Sequence, residues 1–532
     1  MRTATRLVAL ATVLALTTGA LFAEGQEEQA AEAAEERLTI SMIPFTARGT
    51  TLAPDSWVEL FLEERYDVDL EPWYDIDAYD GEARNVRIAA GDIPDFLSVW
   101  ARNPAWIDAG IVRTIAQDLI MEHMPGWMQQ VEHYVGDTKW RTTVFDGTNY
   151  LIPSAMSFAT TGQVMGFRAD WMRAVGVEPE PVAGKSFFKG PDTIAEIESL
   201  LLKFRNEDPD GNGKKDSYGY MVWKNGPNLT RTILPNVFGS FGIRLFTWDV
   251  RDGKGYYSMV DPNYREALKF VNRWWEMEII HPDTPTAVRA DVIRAMANDE
   301  FGAWSELDAW MSQYEAGPWG ALREAHPDVE IVYTITPVGP TGGRGTWYRD
   351  PTGSSAGFGI DASDAKVVKI MQMLEDIFAD ADVYAENHYG GREGETWELD
   401  ENGYRVSIPG TGGGKDSATG TLLGVRMLTI VPQIVPPVDK VYNSPVTDAL
   451  TSFLMEHQTK GPGVGLSFGF DLAIWTEAER ALAANVDTIQ HEFGWKAITG
   501  QVDIDAEWDG YVQSMMDAGL DRLLESVAKQ GM

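Results

Sequence analysis

The chain has 532 residues, of which 80 are acidic and 44 basic, for a formal charge of −36, and it contains no cysteine. So acidic a surface repels phosphate backbones, which argues against nucleic acid as a partner. Without cysteine there is no disulfide framework, no thiolate metal site, no cysteine nucleophile and no residue to carry a lipid, so the chain is expected not to be a lipoprotein.

Residues 1–23 read as a secretory signal. Arg2 and Arg6 precede an apolar run at 7–16, and Ala23 offers a cleavage point. That run is too short to span a bilayer. Residues 24–37 form an acidic tether, with six Glu and no basic residue over 24–36. No later stretch is long and apolar enough to insert into a membrane. The expectation is an exported protein, periplasmic or secreted.

The folded part begins near Leu38 and is too long for a single core. A strand is predicted over 38–43, a helix over 57–62 and a strand over 68–73. A helix follows over 83–90, ended by Gly91, and then a strand over 94–100. Further strands are predicted at 164–167, 329–336 and 358–360, and helices around Trp171 and over 262–278 and 365–378. Residues 508–527 read as one amphipathic helix, with Trp508, Tyr511, Met515, Leu520, Leu523 and Leu524 on its apolar face. Strands alternating with helices define an α/β fold. The Gly- and Pro-rich region 335–425 reads as loops held on that scaffold.

The sharpest local pattern is Asp208-Pro-Asp210-Gly-Asn212-Gly-Lys214-Lys-Asp216. Oxygen side chains fall at loop positions 1, 3, 5 and 9, Lys214 can offer its carbonyl, and Gly211 and Gly213 permit the sharp turn. A hard cation wants such an oxygen cage, so Asp208, Asp210, Asn212, Lys214 and Asp216 are candidate ligands of a structural calcium ion. Position 12, where the helix–loop–helix calcium motif places Glu, is Gly219. The alternative is an Asx-rich turn between a helix and a hairpin.

Nineteen Trp and eighteen Tyr suit a ligand with apolar C–H faces and many hydroxyls. Trp100, Trp223, Trp304, Trp347 and Trp397 fall in expected loops, and Tyr348 adjoins one of them. Trp304 is the foremost candidate to stack on a sugar ring, with Ser305, Glu306 and Asp308 beside it for hydroxyls; the alternative is a core position shared with Phe301, Leu307 and Trp310. No metalloprotease His pair, Gly-x-Ser-x-Gly elbow or phosphate-binding loop is present. Paired carboxylates in a chain with 80 acids leave an exported glycoside-acting enzyme as the rival reading.

Several segments resemble, in order, the family 1 extracellular solute-binding proteins of ABC importers, in the oligosaccharide-binding branch that includes alginate-binding proteins. They are Ala-Ala-Gly-Asp-Ile-Pro-Asp at 89–95, Asp-Gly-Thr-Asn-Tyr-Leu-Ile-Pro at 146–153 and Phe-Arg-Ala-Asp-Trp-Met-Arg-Ala-Val-Gly at 167–176. The loop 208–216 and Ile-Thr-Gly at 498–500, followed by Trp508 and Tyr511, complete the set. The resemblance implies a two-lobed α/β periplasmic binding protein fold of type II, with a hinge and a ligand cleft. It implies a non-enzymatic monomer that binds a carbohydrate, an oligosaccharide, and delivers it to a membrane permease. Presentation to a membrane sensor shares the same binding chemistry. Lobe one would take 38–160 and 335–385, and lobe two 161–334 and 386–532, with crossings near 160, 335 and 385. Phe158 would lie near the hinge, Trp304 would face the sugar, and the segment from Tyr389 to Trp397, with Glu393, would border the cleft.

Overall fold

A computed structural model describes residues 37–46, 50–76, 80–98, 103–155, 163–182, 188–222, 234–307, 318–334, 337–342, 355–401, 403, 405–408, 410–413, 418–430 and 475–529. The signal and tether segments lie outside the described residues.

In chain order, strand β1 (Leu38–Met42) leads to helix α1 (Trp57–Tyr66) and strand β2 (Val68–Pro72). Ser56 and Glu59 close a capping box on α1, and Asp67 ends it in the left-handed conformation at φ 52°. Helix α2 (Gly81–Ala89) is capped by Asp80, and a short helix α3 (Pro104–Asp108) by Asn103. Strand β3 (Leu151–Ile152) closes this first stretch. Then come β4 (Gln163–Arg168), α4 (Ala169–Ala174), β5 (Glu180–Pro181), β6 (Phe188–Lys189), α5 (Ile194–Asn206) and β7 (Tyr218–Tyr220). They are followed by α6 (Pro235–Ser240), α7 (Pro262–Glu276), β8 (Phe301–Leu307) and β9 (Ile331–Thr334). The last part holds β10 (Ala356–Gly357), α8 (Asp364–Ala379), α9 (Ala381–Tyr389), α10 (Glu477–Ile498), α11 (Ile504–Asp517) and α12 (Leu520–Lys529).

Two separate sheets organise two bodies. In the first, β1 and β2 run parallel from Leu38↔Val68 to Met42↔Pro72. Phe96 bridges parallel to Met42 and antiparallel to Phe358, and β10 runs antiparallel to β3. The expected strand over 94–100 is thus one bridged residue, Phe96, among the described residues. The second body holds a six-stranded sheet in the order β5-β6-β9-β4-β8-β7. Its hydrophobic core runs from Val164 to Tyr333 and is completed by Trp475 to Val527.

Two expectations are corrected. The C-terminal helix is two helices, α11 and α12, because Gly519 turns the chain at φ 101° against the Leu482 side chain. An L-residue there would be strained, so one continuous helix is not formed. The second correction concerns the expected boundary at 385. Met427, Leu428 and Ile430 pack in the core of the first body with Ile40, Val58 and Phe96. Phe45 N donates to Met427 O at 3.2 Å, which fixes that segment beside the end of β1.

Candidate ligand cleft and cation loop

In open α/β sheets the carboxyl ends of the strands form the ligand edge, because loops of free design leave there. In the second body β7, β8 and β9 end on one edge, and the antiparallel β4 begins on it with Gln163 opposite Leu307. Just behind this edge the buried Ser305 hydroxyl lies 3.4 Å from Asn236 Oδ1. In the first body β1, the Phe96 bridge and β3 end on one edge, and β10 begins there. Five buried hydroxyl residues collect on it: Thr46, Ser98, Ser154, Ser355 and Thr429. Ser98 is held at φ 45°, unusual for a residue with a side chain, and its Oγ donates to Thr429 O at 3.1 Å.

The described stretches up to 155 and over 355–430 belong to the first body, and those over 163–342 and 475–529 to the second, so the chain changes body three times. Among the described residues a side-chain ion pair joins them directly. Arg480, in the first turn of α10, reaches both carboxylate oxygens of Asp108 at the end of α3, at 2.5 and 2.6 Å. A second guanidinium nitrogen donates to Trp475 O at 2.5 Å, so the fork is held from behind.

The expected sugar-facing residues divide three ways. Trp304 is 1% exposed and belongs to the core of the second body, a correction. The reason is its place in β8, between β4 and β7, with Gly166 opposite it. Gly302, two residues earlier on the same face of the strand, packs onto Trp171 and Phe204 so tightly that a Cβ there would lie within 2.6 Å of each. Trp397 is also buried. Its Nε1 donates to Gly391 O at 2.9 Å, Arg405 lies 4.8 Å over its ring, and Tyr389 sits 5.9 Å away. Glu393 is exposed in the turn before it. Trp100, Phe158, Trp223, Asp308, Trp347 and Tyr348 lie outside the described residues. Sequence reading missed Thr46, Ser98, Thr429, Asp108 and Arg480. Their only signal is the fold, since they come from segments far apart in the chain.

The 208–216 loop joins the end of α5 to the start of β7, at the edge of the sheet opposite the cleft edge. Its side chains turn toward one another. Asn212 Nδ2 donates to Asp210 at 2.6 Å and to Asp216 at 3.1 Å, and Gly213 N donates to Asp208 at 3.0 Å. Lys214 N donates to Asn212 Oδ1 at 2.8 Å. Asp208 Oδ1 is buried without a hydrogen-bond partner. Burial first, then the neighbouring carboxylates of Asp208 and Asp216, raise the Asp210 carboxyl above its ordinary range. No group of three or more His, Asp or Glu side chains among the described residues has metal-site spacing. The loop's Asp, Asn and carbonyl oxygens are the donor type a hard cation takes, though here the side chains bond one another and the loop backbone. Gly219 cannot become the missing Glu, because a Cβ there would lie 2.8 Å from Leu201 and 2.9 Å from Ile279. Arg205 pins the loop from behind by donating to Lys215 O and to Glu278.

No protein-family profile matches the chain. The fructooligosaccharide ABC transporter substrate-binding protein FusA of Streptococcus pneumoniae is 25% identical over 224 residues, which is 39% of this chain and 38% of FusA. Lipoprotein LipO of Bacillus subtilis is 22% identical over 264 residues, 49% of this chain and 48% of LipO. The matched stretches therefore span less than half the length of these relatives. Structural likeness runs further. FusA in complex with kestose superposes with TM-score 0.68 at 17% identity, covering 92% of this chain and 98% of FusA. An EF-hand mutant of FusA with fructo-nystose does so with TM-score 0.67, at the same identity and coverage. The alginate-binding protein AlgQ2 without calcium ion superposes with TM-score 0.67 at 16% identity, over 93% of this chain and 98% of AlgQ2. The fold is that of the two-lobed solute-binding proteins. In sequence the chain is similar to a substrate-binding protein of an ABC transporter over part of its length.

Proposed function

We propose that this protein captures a carbohydrate, of oligosaccharide size, between its two lobes and delivers it to the membrane permease of an ABC importer. The observation that carries this reading is the pair of carboxyl edges, one per body, with the chain passing between the bodies three times. That arrangement lets two rigid lobes close on a ligand by a hinge whose population the ligand shifts. The relatives that bind fructooligosaccharides and alginate supply the ligand class. In this reading the first lobe includes 418–430, export is directed by residues 1–23, and the mature chain works outside the cytoplasm as a monomer. Among the described residues no helix is long and apolar enough to cross a membrane. The Trp100, Trp223, Trp347, Tyr348 and Phe158 side chains remain the proposed aromatic contacts, with Trp397 and Glu393 at the cleft border.

The protein binds its saccharide and does not cleave it. Calcium, held by Asp208, Asp210, Asn212, Asp216 and the Lys214 carbonyl, stabilises the second lobe and takes no part in ligand contact, because the loop lies at the far edge of the sheet. The test is titration calorimetry of purified mature protein against a saccharide panel that includes kestose and alginate oligomers, followed by chromatography of the recovered ligand. Binding with the ligand returned intact is the expected result. Shortened products would establish the glycoside-acting alternative, and no binding across the panel would overturn the carbohydrate reading.

A further inference from the structure

Three of the five hydroxyls on the first lobe's carboxyl edge have no hydrogen-bond partner among the described residues. Thr46 Oγ1, Ser355 Oγ and Thr429 Oγ1 are buried without a hydrogen-bond partner. Their residues are 1%, 0% and 2% exposed. The backbone brings the three to one edge. Phe45 N bonds Met427 O, which sets Thr46 beside the 427–430 segment, and Ser98 Oγ bonds Thr429 O. Leu97 N bonds Gly357 O, so Ser355 lies along the same edge.

A folded lobe has no reason of its own to keep such groups. Burying a hydroxyl without a partner costs free energy, and a methyl of the same shape would remove the cost. Elsewhere in this lobe some buried polar groups are paired, although Thr142 Oγ1 and Asn149 Oδ1 also lack a partner among the described residues. Asp95, 7% exposed, receives Ser41 N, Ser41 Oγ and Lys366 Nζ. Asn149 donates to both Ile115 O and Leu151 O. What sets Thr46, Ser355 and Thr429 apart is that all three are uncharged hydroxyls on the edge where the strands end.

We infer that Thr46, Ser355 and Thr429 form an uncharged hydroxyl floor in the first lobe that hydrogen-bonds the hydroxyls of a saccharide. The inference rests on the proposed carbohydrate reading and deepens it by naming contacts. Each Thr or Ser hydroxyl can donate one hydrogen bond and accept two, which matches the mixed donor and acceptor character of a sugar hydroxyl. The three carry no charge, so they serve a neutral part of the ligand. In the ligand-free protein they are held at a cost to stability, and the ligand repays that cost when it binds, the usual trade between stability and function.

The test uses the full mature chain with T46V, S355A and T429V made singly, each removing a hydroxyl with little change of shape. Calorimetry is run against the neutral oligosaccharide from the panel that the parent binds, kestose first, and melts are recorded without ligand. Each variant is expected to lose affinity about 3- to 10-fold, while its ligand-free melting temperature stays the same or rises by roughly 1–3 °C. Unchanged affinity in all three overturns the inference, whatever the melts show, and leaves the carbohydrate reading standing. Lower affinity with a lower melting temperature also overturns it, since the hydroxyls would then be holding the lobe together, through buried water or otherwise. A parent that binds no neutral saccharide overturns it together with the claim of a neutral ligand.

Discussion

The two polar regions of this protein are built in opposite ways. The 208–216 loop, at the amino end of β7, draws its oxygen side chains, the proposed calcium ligands, from nine consecutive residues, largely exposed. The carboxyl edge of the first lobe draws its hydroxyls from residues 46, 98, 154, 355 and 429, all buried. A hard cation tolerates a local, solvated loop because charge and ligand spacing supply the binding. An uncharged ligand with many hydroxyls needs groups that converge from several directions and are shielded from water. The loop is therefore written in adjacent letters, and the cleft is written in the topology.

The sharpest way to break this contrast is Trp304, which the sequence places beside the ligand and the structure places in the core. Trp304→Ala should cost about 3–5 kcal/mol of stability. Saccharide affinity of the folded fraction should stay within about twofold. A melting temperature like the parent's together with lost affinity would return Trp304 to the cleft.

Next in size is the loop itself. Calcium that binds only the folded form stabilises it by RT ln(1 + [L]/Kd), about 2.7 kcal/mol at a hundredfold excess over Kd. Thorough chelation should lower the melting temperature, and Asp208→Ala should abolish the response to added calcium. Saccharide affinity should survive both treatments at 25 °C. A melt indifferent to chelation would make the loop an Asx turn, and lost saccharide binding would place the ion nearer the cleft than the strand order does.

The smallest effect concerns how the two bodies meet. Asp108→Asn removes the charge that Arg480 grips. Asp108 is 37% exposed, so solvent screens the pair and its worth is about 0.5–1 kcal/mol. That is enough to shift a lobe equilibrium a few-fold. Small-angle scattering of the ligand-free variant should show a larger radius of gyration, with affinity down about 2- to 5-fold. The paired exchange Asp108→Arg with Arg480→Asp should recover part of both. Identical scattering curves for parent and Asp108→Asn would show that the pair does not hold the lobes.

Local pattern carried much of the fold. The apolar runs and caps around β1, α1, β2, α7 and α8 follow from residue spacing alone, and each formed close to its expected range. The ordered motifs at 89–95, 146–153, 167–176, 208–216 and 498–511 together carried the resemblance that implied a two-lobed solute-binding fold. The exceptions have physical causes. The C-terminal helix breaks at Gly519 because the chain must turn against Leu482, and periodicity carries no record of that contact. Residues 427–430 join the first lobe through hydrogen bonds to Phe45 and Ser98 that span most of the chain.

By itself, the sequence determined the class of fold, the acidic surface and the oxygen-rich loop, because each depends on composition or on residues a few positions apart. Only the tertiary structure decided the rest. It took Trp304 into the core by giving β8 a neighbour on each side, and it brought Thr46, Ser355 and Thr429 to one edge. Whether an aromatic ring faces a ligand or a core, and whether a hydroxyl finds a partner, depends on what packs against it, and that is set by strand order rather than by neighbours in the chain.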